Sequence, residues 1–195
     1  MLVIEGGNVV GIETANGVLA ADQVVLAAGA GTVSLAASAG IDIPVEAPPG
    51  LIVHSKPYRK VLNGLVLADE LHMRQTAEHR IIAGADYGGT DPGEEPEKAA
   101  EELFAKVKAM LRDADDLELD FFTVGYRPTP KDGFPIIGRT EGAPGVYLAV
   151  MHSGVTLAPL VGLLAATEIV DGTDDPTLLP FRLARFDQAP AAFKV

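Results

Sequence analysis

The stretch VVLAAGAGTVSLA (residues 24–36) decides how this chain is read. Val24, Val25 and Leu26 form a short apolar run that suits a buried strand. Behind it, Gly29-x-Gly31-x-x-Ser34 imitates the G-x-G-x-x-G turn that cradles phosphates. The imitation is incomplete. In the full motif the third glycine lets helix and strand pack closely, and an acidic side chain about 20 residues on reaches a ribose. Here Ser34 holds the third position, and the nearest downstream acids, Asp42 and Glu46, come too early.

Working outward, the segment LVIEGGNVVGIETANGVLAADQVVLAAG reads as a β-meander, with turns at Gly6-Gly7-Asn8 and at Asn16-Gly17. The chain starts inside the first strand with nothing ahead to pair that edge, which is unusual for a complete domain. Residues 40–51, GIDIPVEAPPGL, read as a crossing, because Pro44, Pro48 and Pro49 disfavour helix. Residues 51–90 are strand-rich, with turns expected at Asn63-Gly64 and around residues 77–79. Residues 91–116 predict a helix with Leu103, Val107, Met110 and Leu111 on one face. A strand running into a Pro/Gly loop follows over 117–138, then a buried strand in 145–154. A helix is expected over about 155–170, closed by Asp171-Gly172.

Composition narrows the function. A chain of 195 residues can hold one good core or two small ones, and 48% hydrophobic with 22% charged residues is globular. A net charge of −12 argues against nucleic acid, whose phosphates need an excess of Lys and Arg. The absence of cysteine excludes disulfides, thiolate metal sites and cysteinyl cofactor links. The N-terminus lacks the basic and apolar regions of a signal peptide. The apolar run 155–167, interrupted by Pro159 and Gly162, reads as too short to span a bilayer. A soluble cytoplasmic protein with no membrane span is the expectation.

Two loops place polar groups at the end of an apolar strand. In GYRPTPKDGFPIIGR (125–139), Arg127 sits before Pro128 on stiff backbone, and its guanidinium suits bidentate capture of a carboxylate. A surface pairing of Arg127 with Asp120 or Asp132 is the alternative. In VMHSGVTLAPLVG (150–162), a strand ends at His152-Ser153-Gly154 and a helix begins at once. Its first N–H groups would attract negative charge, and Gly154 would admit a ligand close to the backbone. The alternative is a buried helix capped by Ser153 or Thr156, with Pro159 in or near its first turn. His152 has no second histidine at metal-ligand spacing, His72 and His79 suit a hairpin surface, and Asp113, Asp115 and Asp116 a solvated helix end. No nucleophile elbow and no Walker loop occurs.

Taken in order, GVLAADQVVLAAGAGT, LHMRQTAEHRIIAGADYGG, GYRPTPKDGFPIIGR, GVYLAVMHSGVTLAPLVGLLAATEI and PFRLARF resemble the C-terminal part of the FAD-dependent D-amino-acid oxidase superfamily, the group of glycine and sarcosine oxidases. The resemblance implies an α+β fold. It combines the remainder of an FAD-binding α/β domain (meander, returning strand, C-terminal helix) with a mostly antiparallel substrate-domain sheet that carries a helix. It assigns residues 1–47 to the end of the FAD domain, 48–124 to the substrate domain, and 125–195 to the return into the FAD domain. It puts the true phosphate fingerprint upstream of residue 1. Arg127 then matches the arginine that binds the substrate carboxylate. Ala28, Gly29, Gly133, His152, Ser153, Gly154, Val155 and Thr156 match segments beside the flavin. FAD would be non-covalent, and binding to this chain alone weak or absent.

The implied reaction is oxidation of a C–N bond in a small amino acid or N-methyl amine, with no side chain assigned as catalytic acid or base. A non-catalytic binding or interaction module that kept the fold is the competing reading, and an NAD-linked dehydrogenase built on Gly29-x-Gly31 a weaker one. An apolar face left open by the missing half would self-associate or receive that half.

Overall fold

The computed structural model describes residues 1–85 and 91–187. The chain forms two compact units. One comprises Met1–Glu46 and the chain from Pro128 onward, the other Ala47–Arg127.

The first unit opens with β1 (Leu2–Glu5), β2 (Asn8–Thr14) and β3 (Gly17–Ala20), an antiparallel meander in the order β1-β2-β3. Gly6 and Gly7 turn the first hairpin at φ +58° and +84°, a region that side chains with a Cβ rarely adopt. β4 (Val24–Leu26) leads through a 3-10 turn at Gly29–Gly31 into α1 (Thr32–Ala37), and β5 (Val45–Glu46) closes this first pass.

The second unit is an antiparallel sheet with one long helix. Its strands are β6 (Pro49–Ser55), β7 (Val66–Leu67), β8 (His72–Gln75), β9 (Ile81–Gly84) and, after the helix α2 (Pro96–Met110), β10 (Leu119–Tyr126). Their order is β10-β6-β9-β8-β7. Leu51, Val53, Met73, Ile81 and Ala83 on the strands meet Ala100, Leu103, Phe104 and Val107 on α2. The 3.6-residue period thus carries the helix stripe through Ala100 and Phe104, leaving Met110 41% exposed instead of on the buried face. Pro96 opens α2 at its first turn, where a missing N–H costs little, and Glu97 lies in that turn. The tail of the expected strand after Ala85, residues 86–90, lies outside the described residues, as do residues 188–195.

The chain then returns to the first unit. β11 (Thr129–Pro130) pairs with β5, while β12 (Ile136–Arg139) and β13 (Val146–Val150) join β4 in the order β12-β13-β4. Alternate residues of β13 face opposite cores: Val146, Leu148 and Val150 toward Leu26, Ala36 and Ile136, and Tyr147 toward Val161 and Ala165. Burial on both faces accounts for the unbroken apolar sequence of this strand.

The last long element is α3 (Gly154–Asp171), which ends on Gly172 in the left-handed conformation at φ +71°. Around α3 the structure departs from three sequence expectations. Pro159 lies inside α3, beyond its first turn, so the Val155 carbonyl loses its helical donor. Ser153 is the N-cap by position but makes no side-chain cap bond, and Thr156 is already helical. The run expected to be too short for a bilayer is part of an 18-residue helix of mean hydropathy 1.5, long and apolar enough by length and composition to cross a membrane. The helix continues because Glu168, which ends the apolar run in sequence, is buried with partners and does not break it.

Candidate functional site

Strand direction gathers the site. β13 pairs in parallel with β4, Leu148 beside Leu26, and β12 runs antiparallel to β13 with Ile136 beside Val150. The chain therefore leaves β4 and β13, and enters β12, at one common end of this sheet. Ligands of α/β layers sit beyond the carboxyl ends of parallel strands. Of the residues singled out from sequence, Ala28 and Gly29 follow β4, Gly133 precedes β12, and residues 152–156 follow β13. All three segments converge on that end.

After β4, the Ala28 N–H donates to the Thr32 hydroxyl at 3.0 Å, and Thr32 is fully buried. This bond shapes the turn, which needs glycine at Gly29, where φ is +58°. After β13, His152, Ser153, Gly154, Val155 and Thr156 are all exposed, Val155 to 95%. His152 Nδ1 lies 3.2 Å from Ser153 Oγ, so the hydroxyl engages the imidazole and leaves the helix end uncapped by a side chain. The first N–H groups of a helix have no partner within it, and no acid stands in this first turn. The result is an exposed, electropositive helix end.

The third segment is clamped. Gly133 has φ +79°, and a Cβ placed there would meet nothing within 4 Å. Its N–H donates to Pro130 O at 2.7 Å, and the Phe134 N–H to Asp132 Oδ1 at 3.1 Å. Arg185 grips Asp132 with Nε at 2.7 Å and Nη2 at 2.9 Å, and also donates to Phe134 O at 3.0 Å. The hydrogen bonds from Arg185, outweighing partial burial, hold the Asp132 carboxyl below the usual carboxylate range. Nothing local in the sequence announced this clamp, because its partners are 53 residues apart.

A second set of residues, missed from sequence, fastens α3 to the sheet. Glu168, wholly buried, accepts from Tyr147 Oη at 2.6 Å, from Arg182 Nη1 at 2.9 Å and Nη2, and from the Asp175 N–H at 2.6 Å. Burial raises the Glu168 pKa, but these hydrogen bonds prevail and hold it down at about 2. Arg182 also donates to Ile137 O at 3.2 Å. Its place in the closing PFRLARF segment and a lone Glu in an apolar helix were the available signals.

Arg127 belongs to the other unit. It is half-buried, and its N–H donates to Pro48 O at 3.2 Å, which fixes the backbone beyond β10. Both carboxylates considered for a surface pairing are held by other arginines, Asp120 by Arg80 and Asp132 by Arg185.

The sequence profile described as "FAD dependent oxidoreductase" matches residues 2–168. The chain is 34% identical over 161 residues to glycine oxidase of Pseudomonas putida, covering 80% of this chain and 44% of that protein. It is 31% identical over 171 residues to an opine oxidase polypeptide of Rhizobium meliloti, covering 87% and 45%. Among solved structures, L-proline dehydrogenase from P. horikoshii superposes with a TM-score of 0.77 at 27% identity, covering 95% of this chain and 52% of that one. Glycine oxidase from Geobacillus kaustophilus gives 0.72 at 26% identity, covering 92% and 50%. The chain spans about half the length of the curated relatives it matches.

Proposed function

This chain belongs to the FAD dependent oxidoreductase family, and on that premise we propose that it serves oxidation of the C–N bond of a small amino acid or N-methyl amine. The names of its relatives, glycine oxidase, opine oxidase and L-proline dehydrogenase, support that substrate class. The observation that carries the reading is the convergence of residues 28–29, 133 and 152–156 at one end of the β12-β13-β4 sheet.

The residues fit a flavin. Gly29 and Gly133 present backbone without side-chain bulk, and the uncapped start of α3 offers N–H groups to an electron-rich ring. When bound, FAD supplies the acceptor for the hydride equivalent lost from the amine α-carbon. Ala28, Gly29, Gly133 and residues 152–156 would hold that group, the helix end favouring negative charge. Arg185 and Asp132 keep the Gly133 loop in place. Arg127, in the other unit, would take the substrate carboxylate through its guanidinium. No side chain of this chain is assigned as general acid or base. Taken alone, it holds FAD weakly and is inactive, because its 195 residues contain no complete G-x-G-x-x-G phosphate turn.

The test is an NMR titration of the 15N-labelled chain. Added FAD is expected to shift amides at residues 28–29, 133 and 152–156 with weak affinity, and glycolate, which shares the substrate carboxylate, to shift the Arg127 guanidinium. Silence at both places overturns the assignment. Tight, stoichiometric yellow binding overturns the claim of weak affinity.

A second reading is favoured by α3, of which 17% is buried and which exposes Val155, Leu160, Leu163 and Val170. An open apolar face of this kind marks a protein contact. We propose that a second copy of this chain, or the half of the family's fold that this chain does not include, covers it, in a cytoplasmic protein that does not span a membrane.

A further inference from the structure

The unit of residues 47–127 carries an open cavity of about 480 Å³, walled by Lys60, Leu62, Leu65, Arg74, Thr76 and His79. No acidic residue lines it, in a chain with 27 Asp and Glu against 15 Lys and Arg. Its cations do not hold these walls together. Gln75 does. Its Oε1 accepts from the N–H groups of Val61 at 2.9 Å and Leu62 at 3.2 Å. Its Nε2 donates to the carbonyls of Tyr58, Arg59 and His79 at 3.0–3.1 Å. The His79 carbonyl also accepts from the Tyr58 N–H at 3.0 Å. The loop 58–62 and the turn 76–80 are thereby stitched across one amide, and parting them would strand several buried or half-buried polar groups.

Lys60 and Arg74 are exposed and form no ion pair among the described residues. Glu78, on the same turn, is hydrogen-bonded to the Thr76 side chain and is not part of the lining. The cavity therefore has walls fixed before any ligand arrives, two lining cations of which Arg74 also feels the nearby Glu78 carboxylate, and an apolar patch at Leu62 and Leu65. Preformed walls remove ordering cost from binding, and two cations facing one cavity are relieved by an anion between them.

We propose that this cavity binds a small organic dianion, a phosphate monoester or a dicarboxylate. Lys60 and Arg74 hold the charged head, and Leu62 and Leu65 receive the apolar body. The proposal stands apart from the amine-oxidising reading, which concerns other residues.

The test titrates the full 195-residue 15N-labelled chain with phenyl phosphate, with phthalate and with neutral benzyl alcohol, at one ionic strength. Saturable shifts confined to residues 60–65 and 74–79 are expected with at least one anion, and the stronger of the two identifies the headgroup. Benzyl alcohol should bind at least about tenfold more weakly, and Lys60→Gln and Arg74→Gln should each weaken the anion by about tenfold with unchanged thermal unfolding. Equal shifts with benzyl alcohol, non-saturating shifts spread over all surface cations, or undiminished affinity in the double variant would overturn the proposal.

Discussion

The Tyr147 hydroxyl donates to the Glu168 carboxylate at 2.6 Å, with both side chains wholly buried. This bond joins β13 to α3, the strand before residues 152–156 and the helix whose first residues they include. Glu168→Ala takes the buried carboxylate from Tyr147 and Arg182, leaving Arg182 with Ile137 O and the exposed Asp174. Loss of one member of a buried ion pair costs about 3–5 kcal/mol, whereas Tyr147→Phe should cost about 1–2 kcal/mol. Urea unfolding monitored by circular dichroism measures both, and the smaller effect belongs to the tyrosine.

Acid should undo the same network. A carboxyl held down at about 2 contributes stability that is complete above its ordinary value of 4.5 and disappears as pH falls toward 2. The wild-type urea midpoint should therefore drop more steeply between pH 4.5 and 2 than that of Glu168→Gln. Parallel curves would remove Glu168 as the titrating group.

Gly138 and Arg182 form a tight pair. At φ +134°, a Cβ on Gly138 would lie 2.2 Å from Arg182 Nη1. The guanidinium cannot step aside without releasing Glu168 and the Ile137 carbonyl. Gly138→Ala should cost more than about 2 kcal/mol, in the range of lost buried pairs (~3 kcal/mol). In an Arg182→Ala background the added cost should shrink to the backbone strain of a Cβ at positive φ, about 1–2 kcal/mol. A double-mutant cycle reads the coupling, and additivity would show that the clash is relieved elsewhere.

The Arg185–Asp132 grip holds a loop at the molecular surface, so its removal should show in local motion. Asp132→Ala should change global stability by about 1 kcal/mol or less while speeding amide exchange at Phe134, whose N–H it now accepts. If residues 131–135 exchange as in the wild type, the clamp is not what orders Gly133.

The open side of α3 should drive association. Light scattering is expected to show the chain larger than a monomer at high concentration, and Leu160→Glu with Leu163→Glu to return it to monomer. A monomeric wild type at high concentration removes a second copy as the occupant.

Much of the fold was written locally. The hairpin expected at Asn16-Gly17 forms one residue earlier, turning on Ala15-Asn16 with Gly17 already paired to Thr14. The apolar density of residues 146–150 marks a strand buried on two faces, and Gly172 stops α3 because glycine bears the left-handed conformation without strain. These depend on neighbours in sequence, so periodicity and turn chemistry reveal them. Met110 marks the limit: its helix was legible, but the stripe that faces the sheet is chosen by packing. Pro159 shows the same limit, since α3 begins at Gly154 without a side-chain cap to announce it.

The site was decided otherwise. Residues 28–29 and 152–156 lie at one end of a sheet because β4 pairs in parallel with β13, a pairing across more than a hundred residues that no local pattern specifies. Glu168 is in sequence only a lone acid in an apolar helix, until Arg182 and Tyr147 arrive from distant segments to neutralise and bind it. Local backbone preference acts through adjacent residues and is visible in one dimension. Burial, ion pairing and strand alignment act through space, and only the folded chain states which groups they join.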